Sequence, residues 1–430
     1  ANTAGTENTA VGSYALDAAT TANYNTAVGY LALSDNTTGD KNEGFGYYAL
    51  KANTTGEENV AIGSRTLQTN TTGDSNTAIG RDALRLNTTG AGSVAVGRDA
   101  LSANTTASNN TAVGVEALAT LTTGTRCTAV GYRALYLHTT ANYNDAFGWK
   151  ALGANTTGEA NSAFGNSALE LNTTGDSNCA VGYGALYANT TASYNTAVGS
   201  ACLDANTTGE RNTGIGYAAL TDNTTGAYNT ALGMSSLENN TTASYNSAFG
   251  VNCMVGNTTG ADNTAVGYEA LPANTTGSYN TAVGYQALQA NTTSSYNTAI
   301  GWDALKSQTT GNQNTAVGYR AGDDMTGGAS VFVGNHAGDG LGAANQCTFV
   351  GYYAGVGYLG ATTDYQLYIA RNDAGAGLSA TWISGNSAGA CYQGNNSASW
   401  STTSDRRIKK NIVDSTQGLD IVNKIQVRNF

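Results

Sequence analysis

Few residues in this chain are equipped for acid–base, nucleophilic or metal chemistry, and they are scattered. The 430 residues include two histidines, His138 and His336, and six cysteines. No His/Cys/Asp/Glu set falls at metal-ligand spacing, so neither a metal nor any other cofactor is expected. Cys202 and Cys253 share one position of a sequence repeat, three repeats apart, too far for a disulfide. Cys127 and Cys179 occupy neighbouring positions, also three repeats apart, while Cys347 and Cys391 lie outside the strict repeats. All six read as free thiols standing in for small residues. His138 replaces an asparagine of the repeat and reads as a corner variant rather than a ligand. The Gly-Asp-Gly-Leu-Gly run at 338–342 reads as a loop ahead of a phosphate or calcium site. Acidic residues follow the outward positions of the repeat, which favours a solvated surface over a catalytic carboxylate pair. No conventional enzyme is expected.

What would position any site is a repeat of unusual strictness. A glycine recurs every 17 residues from Gly12 to Gly318, 19 times without insertion or deletion. With that glycine as position 0, the consensus is Asn-Thr-Ala-Val-Gly-Tyr-x-Ala-Leu-x-x-Asn-Thr-Thr-Gly-x-x. Position −1 is apolar in all 19 copies, and +4 is Leu in 17, with Met254 and Gly322 in the others. Position +8 is Thr throughout, from Thr20 to Thr326. Charges keep to +1, +2, +5, +6, +11 and +12, apart from Glu43 and Asp145 at −3. A charged side chain is rarely buried unpaired, so the charge-free positions are expected inside. The expected core-packing residues are the −1 and +4 pairs, such as Val11 with Leu16, Val28 with Leu33, Val198 with Leu203 and Val283 with Leu288.

Thr-Ala-Val-Gly-Tyr is a short β-prone run bounded by Asn and Gly. Seventeen residues are too few for a helix-turn-helix repeat. The expected fold is all-β: a parallel β-solenoid, or β-roll, of 17-residue coils, each with one or two short strands and tight corners. Like residues should stack on like, about 4.8 Å apart. Each coil offers only two large apolar residues, so the array is expected to bury a further face against other chains, as a parallel homotrimeric fibre. Tyrosines at +1 (Tyr30, Tyr47, Tyr132) and at −5 (Tyr24, Tyr194, Tyr279) are candidates for that contact, or are half-exposed on a sheet face.

Composition agrees with a rod. There are 55 glycines and one proline, charged residues are 11%, and the net charge is −11. Without a basic stripe, nucleic acid is not an expected partner. No run of 18 apolar residues occurs, so membrane insertion is not expected.

The register slips after Gly318, where the step to Gly334 is 16 residues. Residues 1–326 are expected to form the array and 327–400 irregular repeats with a capping β-region. Within the latter, the strand-like runs ending Leu-Tyr-Ile-Ala-Arg371 and beginning at Ala380 are expected to form a small hairpin or an interwoven β-region that caps the array. Residues 401–430 open with the only basic cluster, Ser404-Asp405-Arg406-Arg407-Ile408-Lys409-Lys410.

That segment resembles the opening of the endosialidase-type intramolecular chaperone domain found at the C-terminus of many phage tail fibres and tailspikes. The resemblance implies trimerisation of the preceding β-stalk, then self-cleavage before Asp405. Ser404 would be the nucleophile and Lys409 its dyad partner, a lysine whose shielded amine can activate a hydroxyl. The match covers the start of the domain, and cleavage is expected only where the domain is complete. The repeats resemble, more loosely, the head repeats of trimeric autotransporter adhesins, whose Ala-Val/Ile-Gly marks each coil of a left-handed β-roll with a shorter period.

These readings converge on the shaft of a bacteriophage tail fibre, extracellular and virion-bound. Its expected partners are two further copies of the chain, other virion tail proteins, and a host cell-surface receptor, with a glycan among the candidates. A bacterial trimeric surface adhesin is one alternative. A surface- or ice-binding array using the Thr20–Thr326 ladder is another.

Overall fold

The expected coils form, and each contains one strand of three residues. In the computed structural model, residues 4–356, 364–370 and 381–393 are described, apart from the side chains at 381, 392 and 393. Among them every regular element is a strand. β1 (Thr9–Val11) and β2 (Thr26–Val28) are followed at each repeat by another three-residue strand, through β19 (Thr315–Val317), β20 (Val331–Val333) and β21 (Thr348–Val350). All are parallel and in register, so Thr9, Ala10 and Val11 face Thr26, Ala27 and Val28. Twenty-one such strands at about 4.8 Å give a stack on the order of 100 Å long.

Glycine at position 0 follows from this spacing. Gly29 has φ +134°, and a Cβ there would strike the carbonyl of Gly46 in the next coil. Neither the dihedral nor the gap admits a side chain. In most coils three other positions, +2, +4 and −5, adopt the left-handed conformation without being glycine, as Leu31, Leu33 and Tyr24 do. Each costs roughly 1–2 kcal/mol. In return each aims its N–H along the stack: Leu33 donates forward to Ala49 O at 3.0 Å, and Leu31 back to Ser13 O at 3.1 Å.

Inside the coil lie Ala at −2 and +3, Leu at +4, and asparagines at −4 and +7. Leu16, Leu33, Leu203 and Leu288 are core residues, as expected. Val11, Val28, Val198 and Val283 are not. Val11 is 57% exposed in the single chain, and the other three are half-buried. Strand alternation is the reason: with Ala at −2 pointing inward, its neighbours at −3 and −1 must point outward. The same geometry explains Glu43 and Asp145, whose position −3 also faces out.

The stack continues past residue 327 with an altered corner. β19 pairs with β20 across the 16-residue step, Thr315 facing Val331. Asn314 Nδ2 reaches Gly327 O, 13 residues on, where other coils use 14. Thr326 N still bonds to Gly342 O, as the +8 threonines do, so the dropped residue is the second threonine of the corner. The last coils also exchange core residues. Gly322, Gly338 and Gly355 replace Leu at +4, while Phe332 and Phe349 replace Ala at −2. A Cβ on Gly322 would meet Phe332 Cδ2 at 2.8 Å, and one on Gly355 would meet Phe349 Cδ1 at 2.7 Å. The rings occupy the volume that leucines fill elsewhere, and they stack at 5.8 Å. β21 then pairs in parallel with β22 (Leu367–Ala370), which forms the expected antiparallel hairpin with β23 (Thr381–Gly385). β24 (Cys391–Gln393) adds to its edge.

Candidate assembly face

The outward side of the strand column carries the least expected chemistry. Its −1 positions form an unbroken apolar row, Val, Ile, Leu or Phe in every coil from Val11 to Val350. Ile62, Phe164, Leu232 and Ile300 are each 40–44% exposed. One residue beyond the glycine, the +1 column adds exposed aromatics, including Tyr30, Tyr47, Trp149, Tyr217 and Trp302. Neighbours in these columns stack: Tyr30 on Tyr47 at 5.7 Å, Tyr285 on Trp302 at 4.4 Å, and Phe147 on Phe164 at 4.8 Å. An apolar strip running the length of the described coils far exceeds the scattered exposed residues of an ordinary surface. No charge interrupts its −1 column. Outward strand alternation was the signal that would have found it.

Charges sit beside neighbouring coils in pairs. Lys41 meets Glu58 at 3.1 Å, and Arg133 meets Glu116 at 2.6 Å. Asp82 is an exception to the expectation that charged positions face solvent. It is 5% exposed, held by Arg65 at 2.7 Å and flanked by Arg81 and Arg85. Three guanidinium groups compensate its lost hydration.

His138 and the cysteines Cys127, Cys202 and Cys253 are built into the buried core. His138 is fully buried in the +7 asparagine column. Its Nε2 donates to Ala141 O at 2.8 Å, and its Nδ1 accepts from Asn155 Nδ2 at 3.1 Å, reproducing both roles of an asparagine amide. Cys127 Sγ lies 3.5 Å from that Nε2. Burial holds the imidazole below its ordinary 6.5 and pushes the Cys127 thiol up to about 11. Both are therefore neutral, the opposite of a thiolate–imidazolium pair. Cys202 and Cys253, also buried, are pushed up to about 12 by desolvation. Cys127, Cys179, Cys202, Cys253 and Cys391 are free thiols. Among the described residues, no three His, Cys, Asp or Glu side chains are placed to hold a metal ion. Ser404, Asp405 and Lys409 lie outside the described residues.

The +8 threonine ladder is partly committed to the fold. Thr37 Oγ1 donates to Thr54 O at 3.0 Å, and Thr54 Oγ1 to Thr71 O at 3.0 Å. Their hydroxyl protons thus point along the stack. The +9 threonines, such as Thr38 and Thr55, are the exposed ones.

No protein-family model matches the chain, and no curated protein matches it.

Proposed function

We propose that the chain is the shaft of a trimeric fibre, with three parallel copies meeting along the −1 and +1 columns. The observation that carries this reading is the uninterrupted outward apolar row from Val11 to Val350. Covering the exposed part of one such side chain stabilises by about 0.6–1 kcal/mol, scaled from full burial of Val, Leu, Ile or Phe. Over 21 coils that is on the order of 15 kcal/mol, before any aromatic contribution. Association costs about 4–15 kcal/mol, so a row of this length is sufficient where a few coils would not be. A stiff, linear, in-register stack suits a spacer that holds a recognition surface away from its anchor.

The Ser404–Lys410 segment directs the reading to a bacteriophage tail fibre that presents a host-attachment surface, acts outside the cell, and joins other virion proteins. Self-cleavage before Asp405, with Ser404 as nucleophile and Lys409 as its partner, belongs to the same proposal. The solution mass tests the assembly: light scattering should return about three times the 43.7 kDa of one chain.

A further inference from the structure

The −5 column carries a second aromatic ladder, and one of its coils is different. Both arginines of this column lie against tyrosines. Arg126 sits over Tyr143 at 5.4 Å. Arg211 is sandwiched, 5.3 Å from the Tyr194 ring and 5.4 Å from the Tyr228 ring, and its Nη1 donates to Tyr228 Oη at 2.7 Å. The stack continues from Tyr228 to Tyr245 at 5.1 Å. At the next coil the column holds Asp262, and beyond it Tyr279 stacks on Tyr296 at 5.0 Å. Tyr245 and Tyr279 are therefore two coils apart, about 9.6 Å by the strand spacing. Each is backed on its far side by another ring, and no ring lies between them. Both are exposed, at 58% and 53%, and Asp262 between them is also exposed.

This slot has the spacing of the one Arg211 fills, with a carboxylate where Arg211 has its own side chain. Two tyrosine faces favour a cation between them, and a carboxylate favours a planar fork of N–H donors. We propose that the slot between Tyr245 and Tyr279, floored by Asp262, takes the guanidinium group of an arginine side chain presented by another protein. The slot is built within one chain and does not rest on the assembly proposed above.

Saturation-transfer NMR on the full chain tests it, with N-acetyl-arginine methylamide as probe and the lysine analogue and choline as competitors. Saturable binding is expected for the arginine probe and weaker binding for the other two. Asp262→Asn should weaken it about fivefold, the upper end for an exposed ion pair. Asp262→Arg should abolish it by filling the slot as Arg211 does, and the column already accepts arginine at 126 and 211, so the fold is retained. Absent saturable binding, a preference for lysine or choline, or undiminished binding in Asp262→Arg would each overturn the proposal.

Discussion

Asn53 Nδ2 donates to Asn36 Oδ1 at 2.9 Å from one coil to the next, and both side chains are fully buried. The same Nδ2 donates to Gly56 O at 2.9 Å, so one amide closes its own corner and ties it to the preceding coil. The −4 asparagines converge on the same carbonyls, Asn42 Nδ2 reaching Gly56 O at 2.8 Å. A thin core is thereby reinforced by two internal polar ladders whose members largely satisfy one another, the condition under which buried polar groups support a fold. The +7 ladder is broken at Leu121, where Asn104 Oδ1 is left without a hydrogen-bond partner.

Removing one rung should be costly. Asn172→Ala deprives Asn155 Oδ1 of its donor and Asn189 Nδ2 of one acceptor. The expected loss is about 1–3 kcal/mol, chiefly from Asn155 Oδ1 left unpaired, since Asn189 Nδ2 keeps Ala192 O, read as a lower unfolding midpoint in denaturant. A variant as stable as the parent would show that the ladder contributes little.

Gly199→Ala should disrupt the stack locally. Gly199 has φ +142°, and a Cβ there would fall on the Gly216 carbonyl. Dihedral strain and overpacking together should cost at least about 2 kcal/mol. Faster proteolysis near that coil is the readout, and wild-type resistance would contradict the close approach.

The exchange of core residues at the C-terminal coils is open to a double-mutant cycle. Phe332→Ala alone should cost about 3–5 kcal/mol by emptying the core. Gly338→Leu alone should clash with the Phe332 ring, since even a Cβ meets it. Together they restore the Ala and Leu of the consensus coil, and should cost less than the sum by about 1–3 kcal/mol. Strict additivity in thermal unfolding would separate the two positions.

His138 should make the stack pH-sensitive. Burial lowers its folded-state pKa below the ordinary 6.5, so the unfolded chain binds the proton more readily. The stability that neutral His138 supports is present above the unfolded value and is lost as pH falls toward the folded one. His138→Asn replaces the imidazole with the amide of the neighbouring coils. Between about pH 7 and pH 5, the range in which histidine titrates, the melting temperature of the wild type should fall more than that of His138→Asn. Equal falls would assign the dependence to other groups.

Much of this was legible from the 17-residue register: a short strand in each coil, the like-on-like stacking and the leucine column. The valines at −1 were misplaced because absence of charge was equated with burial. An apolar outward face is charge-free too, and three-residue alternation around Ala27 distinguishes the two cases. The asparagines at +7 read as a corner, since turn propensity hides a side chain that points inward. Phe332 and Gly338 carried their signal jointly, as a large-for-small change at −2 beside a small-for-large change at +4. The −5 slot depends on which ring faces are covered, and a one-dimensional pattern does not contain that. The interruption of the tyrosines at Asp262 was its only trace.

Light scattering of the purified full chain, compared with Val198→Asp, tests the central claim most directly. Val198 points outward, so a carboxylate there leaves the coil intact but places a charge in the apolar row. The wild type should have a mass near three times 43.7 kDa, and Val198→Asp should shift toward smaller species with unchanged strand content by circular dichroism. A wild-type chain that remains at 43.7 kDa across concentration would contradict assembly along this face.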